Sequence, residues 1–517
     1  MYGELFHFEC KASMNLQNLD LQLLELDILN TFVSEIFLVW STLFLLIWVL
    51  LYQNRKDLGY SSMSTNTKWA TVSILLLSLF IAYFSNFVNY TWLPMNGLLT
   101  LDVFGFNARV ITLVSCLIFF LISSSFIKEN PVGVNELCSL VLLSVISLII
   151  LISVNDFLCL FMCIELQGLS FYVLACFRKN SDFSIEAGVK YFITGAIASC
   201  LMLFGISLIY GITGTLNFLE LKQIVLCLSS NEVAGISLDN SATYLGLNLG
   251  ILFLMAALLF KLGVAPLHFW LPDVYEGSPT NVTAFFALVP KVALLVIVVR
   301  LLFDVFEPLH DVWQPILLQT SLLSVIIGTV GAIYQRRIKR LLAYSTIGHN
   351  GFLILALASV NQEGLNALML YITIYILTSS CIFLFVLNVR ERGSSAENPT
   401  FYETCGVIKT NPLLGLSLAL PLFSLAGIPP LAGFIAKYQM FAVAIQAGYI
   451  LTPTILVVVS VVACYYYIRI TKVNFFEGSY LIWNSTVSRE TSLLFSIFCG
   501  LIFLLSILPR FFSILIL

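Results

Sequence analysis

Long apolar runs alternate with short polar connections along most of the chain, and this pattern predicts a bundle of membrane-spanning helices. A span needs about 20 apolar residues. Fourteen segments qualify: 29–52, 69–92, 106–127, 136–154, 156–177, 188–211, 245–268, 281–303, 313–334, 338–360, 365–389, 411–440, 447–470 and 490–512. The fourth and fifth abut around Ser153-Val154-Asn155-Asp156. Residues 1–28 read as a polar or weakly amphipathic extension. They lack the basic start and short apolar core of a secretory signal.

The basic residues orient the bundle. Lysine and arginine accumulate on the side where the chain is synthesised. With the first residues outside, 16 of the 25 fall on or beside inward-facing connections, from Arg55 and Lys56 through Arg336, Arg337, Lys339 and Arg340 to Arg489. Five lie on the other side: Lys11, Arg109, Lys222, Arg300 and Arg510. The remaining four, Lys190, Lys261, Lys291 and Lys437, fall inside spans.

Composition agrees with this architecture. The chain is 59% hydrophobic and 10% charged, whereas a soluble domain carries about 25% charged residues. The fold class is an all-α polytopic membrane protein. No basic patch points to nucleic acid. The 12 cysteines are scattered and histidines occur only at 7, 268, 310 and 349. No metal, disulfide or redox site is expected, and no nucleotide, flavin, haem or quinone motif occurs.

The four intramembrane lysines carry the candidate chemistry. A charge at the bilayer centre costs about 2.5–3.5 kcal/mol, so such residues need partners or water and mark ion pathways. Lys261 precedes Gly263 and Pro266, and Lys437 follows Gly427, Pro429, Pro430 and Gly433. Proline removes a backbone donor and breaks the helix. The two lysines are 176 residues apart, each in the fourth span of a five-helix block. Spans 4–8 and 9–13 therefore read as inverted repeats, since an odd number of spans turns the second block over. The expected layout is an extension at 1–28, three spans within 29–135, repeats at 136–303 and 313–475, and a last span within 476–517.

Glu165 is an intramembrane acid near the middle of its span, and Lys261 is its expected partner. Glu186 and Lys190 stand four apart, in the favourable order for a helical ion pair. Lys291, beside Pro290, lies between the repeats in sequence and is a candidate relay. His349 lies on the second block's counterpart of the Glu165 helix, and histidine titrates near neutrality. His268 reads as either a gate or an interface residue. Glu35, in the first span, reads as a contact to a neighbouring subunit. Each lysine has an alternative structural reading: a snorkelling side chain or a static salt bridge.

The stretches IELQGLSFYVLACF, EAGVKYFITGAIAS, FKLGVAPLHFWLPDVYEGSPTNVTAFFALVPKVA, KRLLAYSTIGHNGF and SLAGIPPLAGFIAKY span residues 135–475. In order and spacing they resemble the antiporter-like N-type subunits (subunit 2) of respiratory complex I. Asn281 and Asn350 depart from the family's usual strings.

The resemblance implies a proton-translocating membrane-arm subunit of NADH:ubiquinone oxidoreductase, a translocase, with no redox site of its own. It casts Glu165 as the acid of the first channel half, Lys261 as its partner, Lys291 as the connecting lysine and Lys437 as the exit lysine. His349 falls on the central axis, and Lys190, with Glu186, matches a further family lysine. NADH, FMN, iron–sulfur clusters and ubiquinone would belong to partner subunits. The implied partners are other membrane-arm subunits, including neighbouring antiporter-like ones, with lipid, protons and water. The expected location is the mitochondrial inner membrane, with plastid thylakoid or bacterial inner membrane as alternatives. Alternative functions are an Mrp-like cation/proton antiporter subunit, a plastid NDH-type subunit, or a non-pumping scaffold.

Overall fold

The computed structural model describes residues 32–53, 61–84, 97–129, 133–233, 239–388, 407–477 and 489–507. The 1–28 extension lies outside the described residues. Thirteen helices among them are long and apolar enough to cross a membrane. Among the described residues, β-pairing is limited to isolated bridges, Leu99 with Val154 and Asp156 with Asn217.

Three helices come first: α1 (Val33–Gln53), α2 (Ser61–Phe84) and α3 (Val103–Ile122). The first block then holds α4 (Val134–Ser153), α5 (Phe157–Ala175), α6 (Asp182–Thr213), the shorter α7 (Phe218–Val233), α8 (Asp239–Leu262) and α9 (Trp270–Gly277). It closes with α10 (Thr280–Leu288) and α11 (Pro290–Val299), which run on through a π-helical turn to Val305 as one span. The second block holds α12 (His310–Ile333), α13 (Ile338–Ala358), α14 (Gln362–Asn388), α15 (Pro412–Ala426), α16 (Ala432–Gln446) and α17 (Leu451–Phe476). A final helix, α18, covers Arg489–Ile507.

The expected count of fourteen and the observed thirteen differ at one place. The span expected at 411–440 is two helices, α15 and α16, separated by Gly427–Leu431. Neither half alone crosses a bilayer. The second span begins at Ser61 rather than 69, so Lys68, expected on a connection, is a buried residue of α2. The adjacent fourth and fifth spans are separate helices. Asp156 caps α5 by accepting from the Leu158 amide at 2.7 Å. Asn155 donates to the Gly97 carbonyl at 2.7 Å, tying this turn to the segment before α3.

Burial follows position in the bundle. The spans Thr280–Val305, Ile338–Ala358 and Gln362–Asn388 are almost wholly enclosed, whereas α1, α6, α17 and α18 expose apolar faces. In water such faces would be a liability; in a bilayer they meet lipid or neighbouring subunits. The enclosed helices carry Lys291, His349 and two tyrosines, so the polar groups sit at the packed centre.

The expected contact of Glu35 with a neighbouring subunit is not what is found. Glu35 is 6% exposed and accepts from Arg109 Nη1 at 2.9 Å, within the same chain. Ser34 donates to its other oxygen at 2.6 Å. A carboxylate in an apolar setting needs such a partner, and α3 supplies it.

Candidate functional site

The two breaks share a local design. Gly263 and Gly427 adopt positive φ, +71° and +88°, and each is followed three residues later by a proline after a cis peptide bond. The left-handed region suits a residue without Cβ. Matching Gly263 to Gly427 sets the register of the two broken helices at 164 residues, not the 176 that separates the lysines. Lys261 therefore precedes its break and Lys437 follows its own. The residue standing where Lys437 stands is Asp273. Aligning the two G-x-x-P strings, GVAP and GIPP, exposes this in the sequence; aligning the lysines hides it.

Lys261 is the penultimate residue of α8. Its Nζ makes a long 3.4 Å hydrogen bond to the Tyr172 hydroxyl and lies 5.8 Å from that ring's centre. The expected contact with Glu165 is not made: Glu165 Oε1 is buried with no hydrogen-bond partner among the described residues. The two groups are nevertheless neighbours along α5. Glu165, Gly168 and Tyr172 share one helical face. A Cβ at Gly168 would lie 3.6 Å from Lys261 Nζ. Gly168 and, on α6, Gly195 leave the space that the Tyr172 hydroxyl occupies.

The break itself is stitched from both sides. The Trp270 indole, on α9, donates to the Phe260 carbonyl at 2.9 Å. The Asn350 amide, on α13, donates to the Leu262 carbonyl at 2.6 Å. His268 lies in the same break, against the Pro266 carbonyl at 3.2 Å and stacked on Phe269.

Lys190 is shared. It meets Glu186 at 2.7 Å, as its spacing predicts, and Asp273 on α9 at 3.0 Å. Asp273 also lies 3.8 Å from Arg340, and Glu276 pairs with Arg337 and with Arg340 at 3.1 Å. Lys339, buried, donates to the Ser278 carbonyl at 3.0 Å. Carboxylates of α9 thus link α6 of the first block to the start of α13 in the second. The positive-inside reading places this layer at the inner face.

A denser cluster lies at the centre. Lys291, 4% exposed, donates to the Tyr375 hydroxyl at 2.8 Å. The Tyr375 ring is 5.4 Å from the His349 ring, centre to centre. His349, also 4% exposed, joins Tyr371 through Nδ1 at 2.7 Å and Tyr467 through Nε2 at 3.0 Å. Lys437 donates to the carbonyls of Leu425 and Ala426 at 2.8 and 3.0 Å and lies 5.4 Å from the Phe352 ring centre. Those carbonyls end α15, where the helix dipole is negative. The break therefore supplies the counter-charge that an acid would otherwise supply. A small cavity lined by His349, Tyr375, Thr378, Ser424 and Lys437 lies between Lys437 and the tyrosine that binds Lys291, with room for about one water.

The sequence reading missed Tyr172, Tyr371, Tyr375, Tyr467 and Asp273. Tyr371 and Tyr375 carried a signal: four apart in one apolar span, they share a face. Among the described residues, no group of three or more histidine, cysteine, aspartate or glutamate side chains is placed to hold a metal.

Comparison with known proteins follows the same lines. Residues 154–463 match the family described as NADH:quinone oxidoreductase/Mrp antiporter, TM. The chain is 36% identical to NADH-ubiquinone oxidoreductase chain 2 of Marchantia polymorpha over 477 residues, 92% of this chain and 94% of that one. It is 39% identical to NADH-quinone oxidoreductase subunit N of Rhodospirillum rubrum over 385 residues, 74% of this chain and 76% of that one. A chain of respiratory complex I from Thermus thermophilus superposes with a TM-score of 0.74 at 27% identity, covering 93% of this chain and 98% of that chain.

Proposed function

The chain belongs to the NADH:quinone oxidoreductase/Mrp antiporter membrane family, and on that premise we propose that it is the N-type, antiporter-like subunit of respiratory complex I, moving protons across the mitochondrial inner membrane. Its partners are the other membrane-arm subunits. NADH, FMN, iron–sulfur clusters and ubiquinone belong to the partners, and this chain contributes translocation.

The observation that carries the reading is the buried sequence of titratable groups Lys291, Tyr375, His349 and Lys437, joined by hydrogen bonds, ring contacts and one small cavity. Buried ionisable groups in a row inside an apolar bundle are costly, and where they occur they mark ion pathways. Glu165 and Lys261 form the input end, adjacent but unbonded, so that a shift of either group changes the charge seen by the other. Lys190 with Glu186 and Asp273 sits at the inner mouth. Lys437 releases outward. Lifting one charge against the membrane potential costs about 2.3 kcal/mol per 100 mV, so the driving energy must come from the partners' redox chemistry.

The test is Lys437→Met in the intact complex. Assembly should persist while proton pumping coupled to NADH oxidation is lost; unchanged pumping would overturn the role. The family description also includes Mrp antiporters. Robust cation/proton exchange by the chain reconstituted alone would favour that reading.

A further inference from the structure

Asn350 is the residue after His349, on the most enclosed face of α13, and is 2% exposed. Its Nδ2 donates to the Leu262 carbonyl at 2.6 Å. Leu262 ends α8, next to Lys261 and before the left-handed Gly263. A helix end in a membrane leaves carbonyls without partners, at several kcal/mol each if nothing meets them. The first block meets its own open end only partly. The Phe260 carbonyl accepts from both the Gly263 amide and the Trp270 indole, and the Val264 amide reaches back to the Leu259 carbonyl at 3.1 Å. Leu262 is met from the other block.

The other end of the same amide makes a second point. Asn350 Oδ1 is buried and has no donor among the described residues. A buried amide oxygen retains its demand for a hydrogen bond, and a bound water is the ordinary answer. One side chain therefore touches the Lys261 break with its nitrogen and, one residue from His349, offers an acceptor with its oxygen.

We propose that Asn350 is the positioning residue between the two half-channels: its amide nitrogen fixes the open end of the Lys261 helix to the His349 helix, and its amide oxygen holds a water between them. This rests on the relay through Lys261 and His349 proposed above. It adds, beside Lys261, a second tie between the blocks to the one that Glu276 and Arg340 make at the inner face. A displacement of α8 at Lys261 moves α13 at His349 through one hydrogen bond.

The test compares Asn350→Leu and Asn350→Ala in the intact complex in sealed inner-membrane vesicles. Readouts are complex content and protons pumped per electron pair. Leucine matches the volume and removes both polar ends; alanine leaves space in which water can meet the Leu262 carbonyl. The proposal expects assembled Asn350→Leu complex to pump at least ~10-fold more slowly, with Asn350→Ala closer to the parent. A packing role expects the reverse order, and that order, or parent-like pumping by both, overturns the proposal. If the leucine variant does not assemble, the alanine variant decides by a solvent-isotope comparison. A rate more sensitive to heavy water than the parent's supports a water in the path, and an unchanged sensitivity overturns it. Lys261→Met and Lys437→Met run alongside. If they abolish pumping while Asn350 variants do not, only this inference fails; if they pump normally, the relay fails with it.

Discussion

Asp273 and Lys437 occupy the same place in the two broken helices, each ten residues past a glycine of positive φ. Their charges are opposite and so are their partners. Asp273 holds Lys190 of α6, whereas Lys437 rests on carbonyls of its own break. Matching positions of the two breaks thus divide into an ion pair in one and a carbonyl-held lysine in the other.

Asp273→Asn should test that division. The Asp273–Lys190 pair is partly exposed, so its loss should cost only about 0–1 kcal/mol of stability. Assembly should be near normal. Coupled turnover in membrane vesicles should fall by ~10-fold or more if the inner mouth depends on it, and unchanged turnover would make the pair merely structural.

Tyr375→Phe removes the hydroxyl between Lys291 and the His349 cluster. The lost hydrogen bond leaves the buried Lys291 nitrogen without its partner, at about 1–3 kcal/mol. Proton pumping should fall more than NADH oxidation does, giving a lower proton-to-electron ratio. An unaltered ratio would remove Tyr375 from the path.

The Glu35–Arg109 pair should behave differently. Both groups are buried and pair with each other, and neither bonds to a lysine of the relay. Removing one partner by Glu35→Ala strands the other, at about 3–5 kcal/mol. The amount of assembled complex and its thermal stability should drop, while pumping per assembled complex stays the same. A selective pumping defect would contradict a structural role.

Gly427→Ala places a side chain at φ +88°, which costs about 1–2 kcal/mol. The new Cβ would also approach Lys437 Cδ at 3.2 Å. Thermal stability should fall modestly and pumping more strongly, because the carbonyls that hold Lys437 are displaced. Parent-like values in both measurements would show that the break tolerates a side chain.

The spans, the two breaks and the lysines at 261, 291 and 437 were legible in the chain, together with an expected orientation. Each rests on local rules: the length needed to cross a bilayer, the bias of basic residues, and the backbone effect of Gly and Pro. The second span's start and the full division of 411–440 into two helices were less legible, because apolar composition continues on both sides of the Gly/Pro break.

What the sequence by itself determined is an all-α bundle with two odd-numbered blocks and charged groups in its interior. Only the tertiary structure decided which groups meet. Lys261 bonds to Tyr172 rather than Glu165, Lys190 reaches Asp273 as well as Glu186, Glu35 turns inward to Arg109, and Asn350 crosses to Leu262. The reason is physical. Helix formation in lipid is satisfied within a segment, whereas a buried polar side chain is satisfied by whichever helix packs against it, and that neighbour can lie 88 residues away, as Leu262 does from Asn350.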